Sequence, residues 1–86
     1  MTKVAFQQNA FDQFNQWAML DKKVYQRIVS LIHDALRHPF TGIGKPEPLK
    51  HELKGFWSRR ITDEHRLVYR VTDDELLIVS CKFHHR

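Results

Sequence analysis

Residues 42–69 read GIGKPEPLKHELKGFWSRRITDEHRLVY, and this stretch decides how the second half of the chain folds. Its beginning is rich in glycine and proline, which favour turns, so residues 41–52 are predicted to form an ordered loop. Residues 56–61 and 66–72 are two strand-like runs dense in arginine and apolar residues. The polar residues 62–64 between them predict a turn, so the two runs form a pair of adjacent strands.

The regions on either side supply the other elements. Residues 4–6 form a short apolar run that predicts a first strand, and residues 76–83 predict the last strand. Asn9 is a candidate N-cap for a first helix, and Asp21 is a candidate N-cap for a second helix, which Pro39 ends. The apolar positions recur with helical spacing in both segments. They are Phe11, Phe14, Trp17 and Ala18 in the first helix, and Val24, Ile28, Leu31, Ile32, Ala35 and Leu36 in the second.

The resulting order is β-α-α-β-β-β, which predicts an α+β fold. Two helices are expected to pack on one face of a mainly antiparallel sheet. The 86 residues are enough for one hydrophobic core and too few for two, so residues 1–86 are predicted to form a single domain.

Composition favours an anionic partner and a cytoplasmic location. The chain has 14 basic and 10 acidic residues, a net charge of +4 and a sequence pI near 9.5. This balance modestly favours nucleic acid as a partner. The single cysteine, Cys81, excludes an internal disulfide and is expected to be a buried core thiol. We find no signal peptide, apolar membrane span or lipidation motif, so no membrane partner is expected.

Strand alternation predicts where the cationic side chains gather. Leu67, Tyr69 and Val71 share one face of their strand, which leaves Arg66 on the other. In the last strand the core set is predicted as Leu77, Val79, Cys81 and Phe83, with Lys82 and His84 on Arg66's side. Arg60 joins them if Trp57, Arg59 and Ile61 form the inward-facing set, although Arg59 makes that strand ambiguous.

This cluster suits the cleavage of RNA, which carries its own nucleophile, the 2′-hydroxyl. An enzyme must supply a base for the 2′ proton, a cation for the charge that builds on phosphorus, and an acid for the 5′ leaving oxygen. Glu47, Arg66 and His84 are the candidates in that order. Structural alternatives exist for each: an exposed loop acid, a cross-strand ion pair and a solvated terminal histidine.

Zinc binding is a weaker interpretation of the histidines. His84 and His85 are adjacent, so on a strand they point to opposite faces and chelate poorly. We therefore expect no metal and no other cofactor.

Residues 45–69, KPEPLKHELKGFWSRRITDEHRLVY, and the ending Lys82-Phe83-His84-His85 closely resemble the YoeB toxins. These are a branch of the RelE superfamily of ribosome-dependent mRNA interferases. The resemblance implies the same fold, with Glu47 as general base, Arg66 as the group that stabilises the transition state and His84 as general acid. The residues expected to bind RNA or phosphate are Lys50, His51, Arg59, Arg60, Lys82 and His85. One departure is the ending His84-His85-Arg86, where the resembled toxins typically finish with His-Tyr.

The resemblance also implies partners. These are the 70S ribosome with mRNA in its A site, a YefM-like antitoxin, a plausible homodimer and operator DNA bound only through the antitoxin. Two other classes of function remain open at this point: a non-catalytic ribosome- or RNA-binding module, and an antitoxin-pairing transcriptional co-regulator.

Overall fold

The computed structural model describes residues 3–83 as two helices and a five-stranded sheet. The elements in chain order are β1 (Lys3–Phe6), α1 (Gln8–Leu20), α2 (Lys22–Arg37), β2 (Glu47–Pro48), a 3₁₀ turn (His51–Leu53), β3 (Phe56–Arg60), β4 (Arg66–Val71) and β5 (Glu75–Ser80). The strands lie in the order β1-β5-β4-β3-β2. β1 runs parallel to β5, whereas the other three pairs are antiparallel. The predicted α+β fold is therefore confirmed, with one additional strand, β2, inside the segment predicted as a loop.

The sequence signals predict the start and end of α2 correctly but not the start of α1. Asp21 caps α2, because its carboxylate accepts hydrogen bonds from the backbone N–H groups of Lys23 and Val24. The helix ends at Arg37, two residues before Pro39, as predicted. The prediction for α1 was wrong: Gln7 occupies the N-cap position and makes no side-chain cap. Asn9 lies inside the helix, where its amide donates to the Val79 carbonyl at 3.1 Å.

The core lies between the two helices and one face of the sheet. The predicted α2 stripe is confirmed, since Ile28, Leu31, Ile32 and Ala35 are buried and Val24 and Leu36 pack against them. The α1 stripe is only partly correct. Trp17 is buried, but Phe11 is 49% exposed and Ala10 takes its place in the core.

A β-bulge reverses the predicted face of the last strand. Leu76 and Ile78 lie in the core, whereas Leu77 is only half-buried. The pairing between β4 and β5 shifts after Ile78, because Tyr69 faces Ile78 while its neighbour Val68 faces Ser80. The extra residue, Val79, changes which face the following residues occupy, so Cys81 returns to the core. Strict alternation therefore failed at this one position.

No helix within residues 3–83 is long and apolar enough to cross a membrane.

Candidate active site

Glu47 and Arg66 meet on the face of the sheet opposite the helices. Glu47 is directly opposite Ser58 in the pairing of β2 with β3, and Ser58 is directly opposite Val68 in the pairing of β3 with β4. Side chains in such a row share one face of the sheet. Arg66 Nη1 lies 3.1 Å from Glu47 Oε1 and 3.1 Å from the Ser58 hydroxyl. The short strand β2 thus gives the loop acid a fixed place beside the arginine.

Arg60 adds a second cation to this face. It is directly opposite Arg66 in the pairing of β3 with β4, and it is exposed. Like charges at directly opposed positions repel each other. Within residues 3–83, Glu47 is the acid that forms an ion pair with Arg66, and Arg60 forms none. The two arginines make the surface beside the Glu47 carboxylate electropositive, which favours an anionic ligand.

Arg59 points to the opposite face and is fully buried. Its guanidinium has five N–H groups, and protein oxygens accept a hydrogen bond from every one of them. The acceptors are the Tyr69 hydroxyl, the Asp34 carboxylate, and the carbonyls of Ile43, His38 and Thr41. The prediction that Arg59 binds phosphate is wrong, because no donor remains for a ligand. The same observation resolves the ambiguity of β3, since Arg59 inside places Arg60 outside.

The Arg59 contacts form a polar cluster under the loop that follows α2. The Arg59 guanidinium hydrogen bonds to Asp34 at 2.6 Å and, with the Ile43 N–H, holds the pKa of that carboxyl below 3.8. Burial raises the pKa of Tyr69, whose hydroxyl donates to the Pro39 carbonyl. The loop can pass this close to Asp34 only with glycine at position 42, because a Cβ there would overlap the Asp34 carboxylate. The φ of Gly42, +112°, is also one that other residues rarely adopt. The cluster therefore fixes the path of the chain towards β2 and Glu47.

Lys50 and His51 lie outside this cluster, just after β2. Together with Glu52 and Leu53 they line a surface cavity of about 270 Å³. Both side chains are exposed, so their predicted contacts with RNA are sterically open.

Lys82 does not gather with Arg66, so that prediction was wrong. Lys82 lies beyond the end of β5 at Ser80, so strand alternation does not apply to it, and its ammonium lies on the α1 side, 3.5 Å from Gln16 Oε1 and 5.8 Å from the centre of the Trp17 ring. A contact between Lys82 and RNA remains a prediction, but at a separate position.

The predicted roles of His84 and His85 fall outside the described residues. The chain immediately before them is fixed: Phe83 N donates to His65 Nδ1 at 2.8 Å, and Arg66 N donates to the Phe83 carbonyl at 3.2 Å. His65 itself is buried and points away from the Arg66 side chain, as alternation predicts.

Cys81 is a buried free thiol, as predicted. Burial raises its pKa to about 12, so the thiol does not ionise near neutral pH. Among residues 3–83, no three histidine, cysteine or acidic side chains are grouped so that they could hold a metal ion.

Sequence reasoning missed three groups of side chains around this site. Ser58 supports Arg66, Thr62 builds the turn before it, and three α1 side chains bind the end of β5 and the chain that follows it. The last group has a visible signal, because Asn9, Gln13 and Trp17 are spaced four residues apart and share one helix face. Their hydrogen-bond partners lie more than 60 residues away, and no local pattern indicates them.

Known proteins include relatives that match nearly the whole chain. Residues 6–85 match the model of a family described as YoeB-like toxins of bacterial type II toxin–antitoxin systems. The chain is 54% identical to toxin YoeB of Escherichia coli K12 over 83 residues, which cover 96% of this chain and 99% of that toxin.

Solved structures give the same result. A YoeB/ParE toxin from Agrobacterium tumefaciens superposes with a TM-score of 0.95 at 43% identity, covering 98% of this chain and all of the other (100%). YoeB in the heterotetrameric YoeB–YefM complex from Staphylococcus aureus superposes with a TM-score of 0.90 at 42% identity over 99% of both chains. Since the family match, the sequence identity and the fold agree over nearly the whole length, the chain belongs to the YoeB family of toxins of bacterial type II toxin–antitoxin systems.

Proposed function

We propose that the protein is a ribosome-dependent endoribonuclease that cuts mRNA in the A site of the 70S ribosome and thereby inhibits translation. The observation that carries this proposal is the contact of Glu47 with Arg66 at 3.1 Å, on a sheet face that also presents Arg60. Membership of the toxin family supports the proposal, because a toxin must harm a cell and cleavage of mRNA would do so by stopping translation.

The proposed reaction is a transesterification. Glu47 accepts the proton of the 2′-hydroxyl, and the 2′-oxygen attacks the adjacent phosphorus. Arg66 stabilises the additional negative charge on the phosphoryl oxygens. His84 donates a proton to the 5′-oxygen as the P–O5′ bond breaks. The products are a 2′,3′-cyclic phosphate and a free 5′-hydroxyl, and the reaction requires no metal ion.

The ion pair itself links binding to catalysis. Arg66 is 19% exposed and Glu47 is 56% exposed, so water screens their attraction and a phosphate can compete for the guanidinium. A phosphate bound by Arg66 releases Glu47 for the neighbouring 2′-hydroxyl. Substrate binding would thus place base and cation on successive atoms of the same nucleotide.

The other basic residues are proposed to hold the RNA. Arg60 lies beside Arg66 and is suited to bidentate contact with a phosphate. Lys50 and His51, which are exposed just after β2, are proposed to contact further phosphates of the RNA. His85 and Lys82 are proposed as additional RNA contacts. The ribosome would present the mRNA in an in-line conformation that so small an enzyme does not impose alone.

The proposed protein partner is an antitoxin of the YefM type, as in the S. aureus complex. Its acidic segment would cover the basic face and neutralise it, and operator DNA would be bound only through the antitoxin. A homodimer and a cytoplasmic location complete the proposal.

The test is cleavage of end-labelled mRNA by the purified protein, with and without programmed 70S ribosomes. We expect a cut confined to the A-site codon, a 2′,3′-cyclic phosphate end and no cut without ribosomes. EDTA added to the ribosome-free reaction chelates divalent metal ions and so inhibits contaminating metal-dependent nucleases. Binding to ribosomes without a cut would contradict the proposal and favour a non-catalytic binder. Harmless overexpression without antitoxin would favour a role in transcriptional control.

A matched pair of variants connects the cut to the site. Glu47→Gln removes the proposed base, whereas Glu52→Gln removes an exposed acid from the neighbouring 3₁₀ turn. We expect Glu47→Gln to lower the rate by about 10²–10⁴-fold and Glu52→Gln to leave it within twofold of the wild type. Equal rates in the two variants would contradict the role of Glu47.

A further inference from the structure

Side chains of α1 hold the end of β5 and the chain that leaves the sheet after it. β1 covers β5 only as far as Ile78, so the backbone beyond it has no neighbouring strand on that side. Asn9 donates to the Val79 carbonyl at 3.1 Å, Gln13 accepts from the Cys81 N–H at 2.8 Å, and Trp17 donates to the Cys81 carbonyl at 2.9 Å. These side chains replace the missing strand and satisfy buried backbone groups.

Two adjacent residues at the start of β4 hold the next part of this chain. The Phe83 N–H donates to His65 Nδ1 at 2.8 Å, and the Phe83 carbonyl accepts from the Arg66 N–H at 3.2 Å. Both backbone polar groups of Phe83 are therefore fixed. This is needed because Phe83 has φ = +62°, a left-handed conformation that a phenylalanine rarely adopts.

His65 is a rigid anchor. Its backbone N–H donates to the Thr62 hydroxyl at 3.1 Å, and its carbonyl accepts from Ile61 at 3.0 Å. Its ring is 8% exposed and lies edge-on to Trp17, with centroids 4.8 Å apart. A ring that accepts at Nδ1 carries its hydrogen on Nε2, which lies 3.5 Å from a Glu64 carboxylate oxygen.

We propose that His65 is a positioning residue for the general acid, His84, which acts by fixing Phe83, the residue that precedes His84 in the sequence. The Phe83 carbonyl, which accepts from the Arg66 N–H, belongs to the residue that directly precedes His84 in the sequence. The same dipeptide, His65-Arg66, thus carries the cation and anchors the residue before the acid. This inference rests on the proposed function, because it takes His84 as the acid.

A structural role for His65 makes a different prediction from a positioning role. His65→Phe keeps a ring against Trp17 but loses the acceptor for Phe83 N–H. His65→Asn loses the ring but keeps an acceptor oxygen on a short side chain. If His65 only fills the core, the Phe variant is the more active of the two; if it positions His84, the Asn variant is.

We expect His65→Phe to lower kcat for ribosome-dependent cleavage by about 10–100-fold with KM unchanged, because small displacements of a reacting group have effects of this size. We expect His65→Asn to recover part of this loss even if its Tm is lower. Cleavage by His65→Phe at the wild-type rate, or a rate above that of His65→Asn, would overturn the proposal.

Coupling to His84 makes the test specific. In a His84→Gln background, His65→Phe should change the residual rate by less than about twofold, since the group that it positions is absent. Full additivity of the two effects would overturn the proposal. If instead His84→Gln alone cleaves as fast as the wild type, the assigned acid is wrong and the proposed mechanism fails.

Amide exchange tests the anchor without any RNA. In His65→Phe the Phe83 amide should exchange at least tenfold faster than in the wild type, while the amides of Leu67 and Tyr69 in β4 keep their protection. If His65→Phe does not fold, Thr62→Val, which loosens the turn under His65, should raise Phe83 exchange in the same way. Unchanged Phe83 exchange would overturn the anchor, whatever the enzyme does to mRNA.

Discussion

Within residues 3–83, two arginine–carboxylate ion pairs lie on opposite faces of one sheet. Arg59 pairs with Asp34 at 2.6 Å with no exposed side-chain surface, and all of its N–H groups are used. Arg66 pairs with Glu47 at 3.1 Å while both remain partly exposed. Within residues 3–83, the side-chain hydrogen bonds of Arg66 use only Nη1.

The difference shows that the same pair of groups serves two purposes according to its surroundings. A buried arginine with every donor satisfied is part of the fold, because removing either partner leaves a charge or polar groups without compensation. An exposed pair contributes little to stability and can exchange its carboxylate for a phosphate. Breaking each pair separately should therefore affect different measurements.

The largest effect is expected on the stability of the protein when the inner pair, Arg59 with Asp34, is broken. Arg59→Met leaves the Asp34 carboxylate, the Tyr69 hydroxyl and the loop carbonyls without their donor. We expect the free energy of unfolding to fall by about 3–5 kcal/mol, as for other broken buried pairs. Urea denaturation followed by tryptophan fluorescence measures the change.

Two variants control this result. Arg59→Lys keeps the charge but has three donors in place of five, so its loss should be intermediate. Arg60→Met, one position along on the outer face, should change the unfolding free energy by no more than about 0.5 kcal/mol. Equal losses for Arg59→Met and Arg60→Met would show that the inner cluster is not structural.

The next largest effect is expected on catalysis at the outer pair. Arg66→Gln should lower the rate of the proposed ribosome-dependent cleavage by about 10²–10³-fold, since it removes the cation that we propose stabilises the transition state. Its unfolding free energy should change by about 1 kcal/mol or less, because the ion pair is solvated. Single-turnover cleavage and urea denaturation on the same samples give the two values.

Arg70→Gln is the matched control for this variant. Arg70 lies on the same strand and face, but its guanidinium stacks over Phe56 at 5.6 Å from the ring centre. Its removal should leave cleavage within about threefold of the wild type. If Arg66→Gln lowered the unfolding free energy but left the cleavage rate unchanged, the Arg66–Glu47 pair would be structural and not catalytic.

The comparison also explains which features the sequence predicts. The helical stripe of α2, the Asp21 cap and the sheet arrangement follow from local periodicity and capping, so they were correct. The inward arginine was missed because Arg59 and Arg60 are adjacent and chemically identical. Only the distant acceptors around Asp34 determine which of them turns inwards.

The bulge at Val79 is the second source of error. Alternation assigns faces correctly along β4, but one extra residue in β5 reverses the assignment for Leu76 and Ile78, and Lys82 lies beyond the end of the strand. Such a bulge depends on the partner strand and on the side chains of α1, which no local pattern contains. Glu47 and Arg66 were found from chemistry and resemblance, while the strand that joins them, β2, is only two residues long.

The smallest expected effect is on the pH dependence of stability. It measures how much the negative charge of Asp34 contributes to the inner pair. The hydrogen bond from Arg59 lowers the folded pKa of Asp34 below its ordinary value of 3.8. The unfolded chain therefore binds more protons here, so this contribution is complete above pH 3.8 and is lost as the pH falls through the folded pKa. Urea denaturation between pH 7 and pH 2.5 should show Asp34→Asn less stable than the wild type by a constant amount down to about pH 4, and by a shrinking amount below it. A difference that stays constant to pH 2.5 would show that the hydrogen-bond geometry of Asp34, and not its charge, stabilises the inner face.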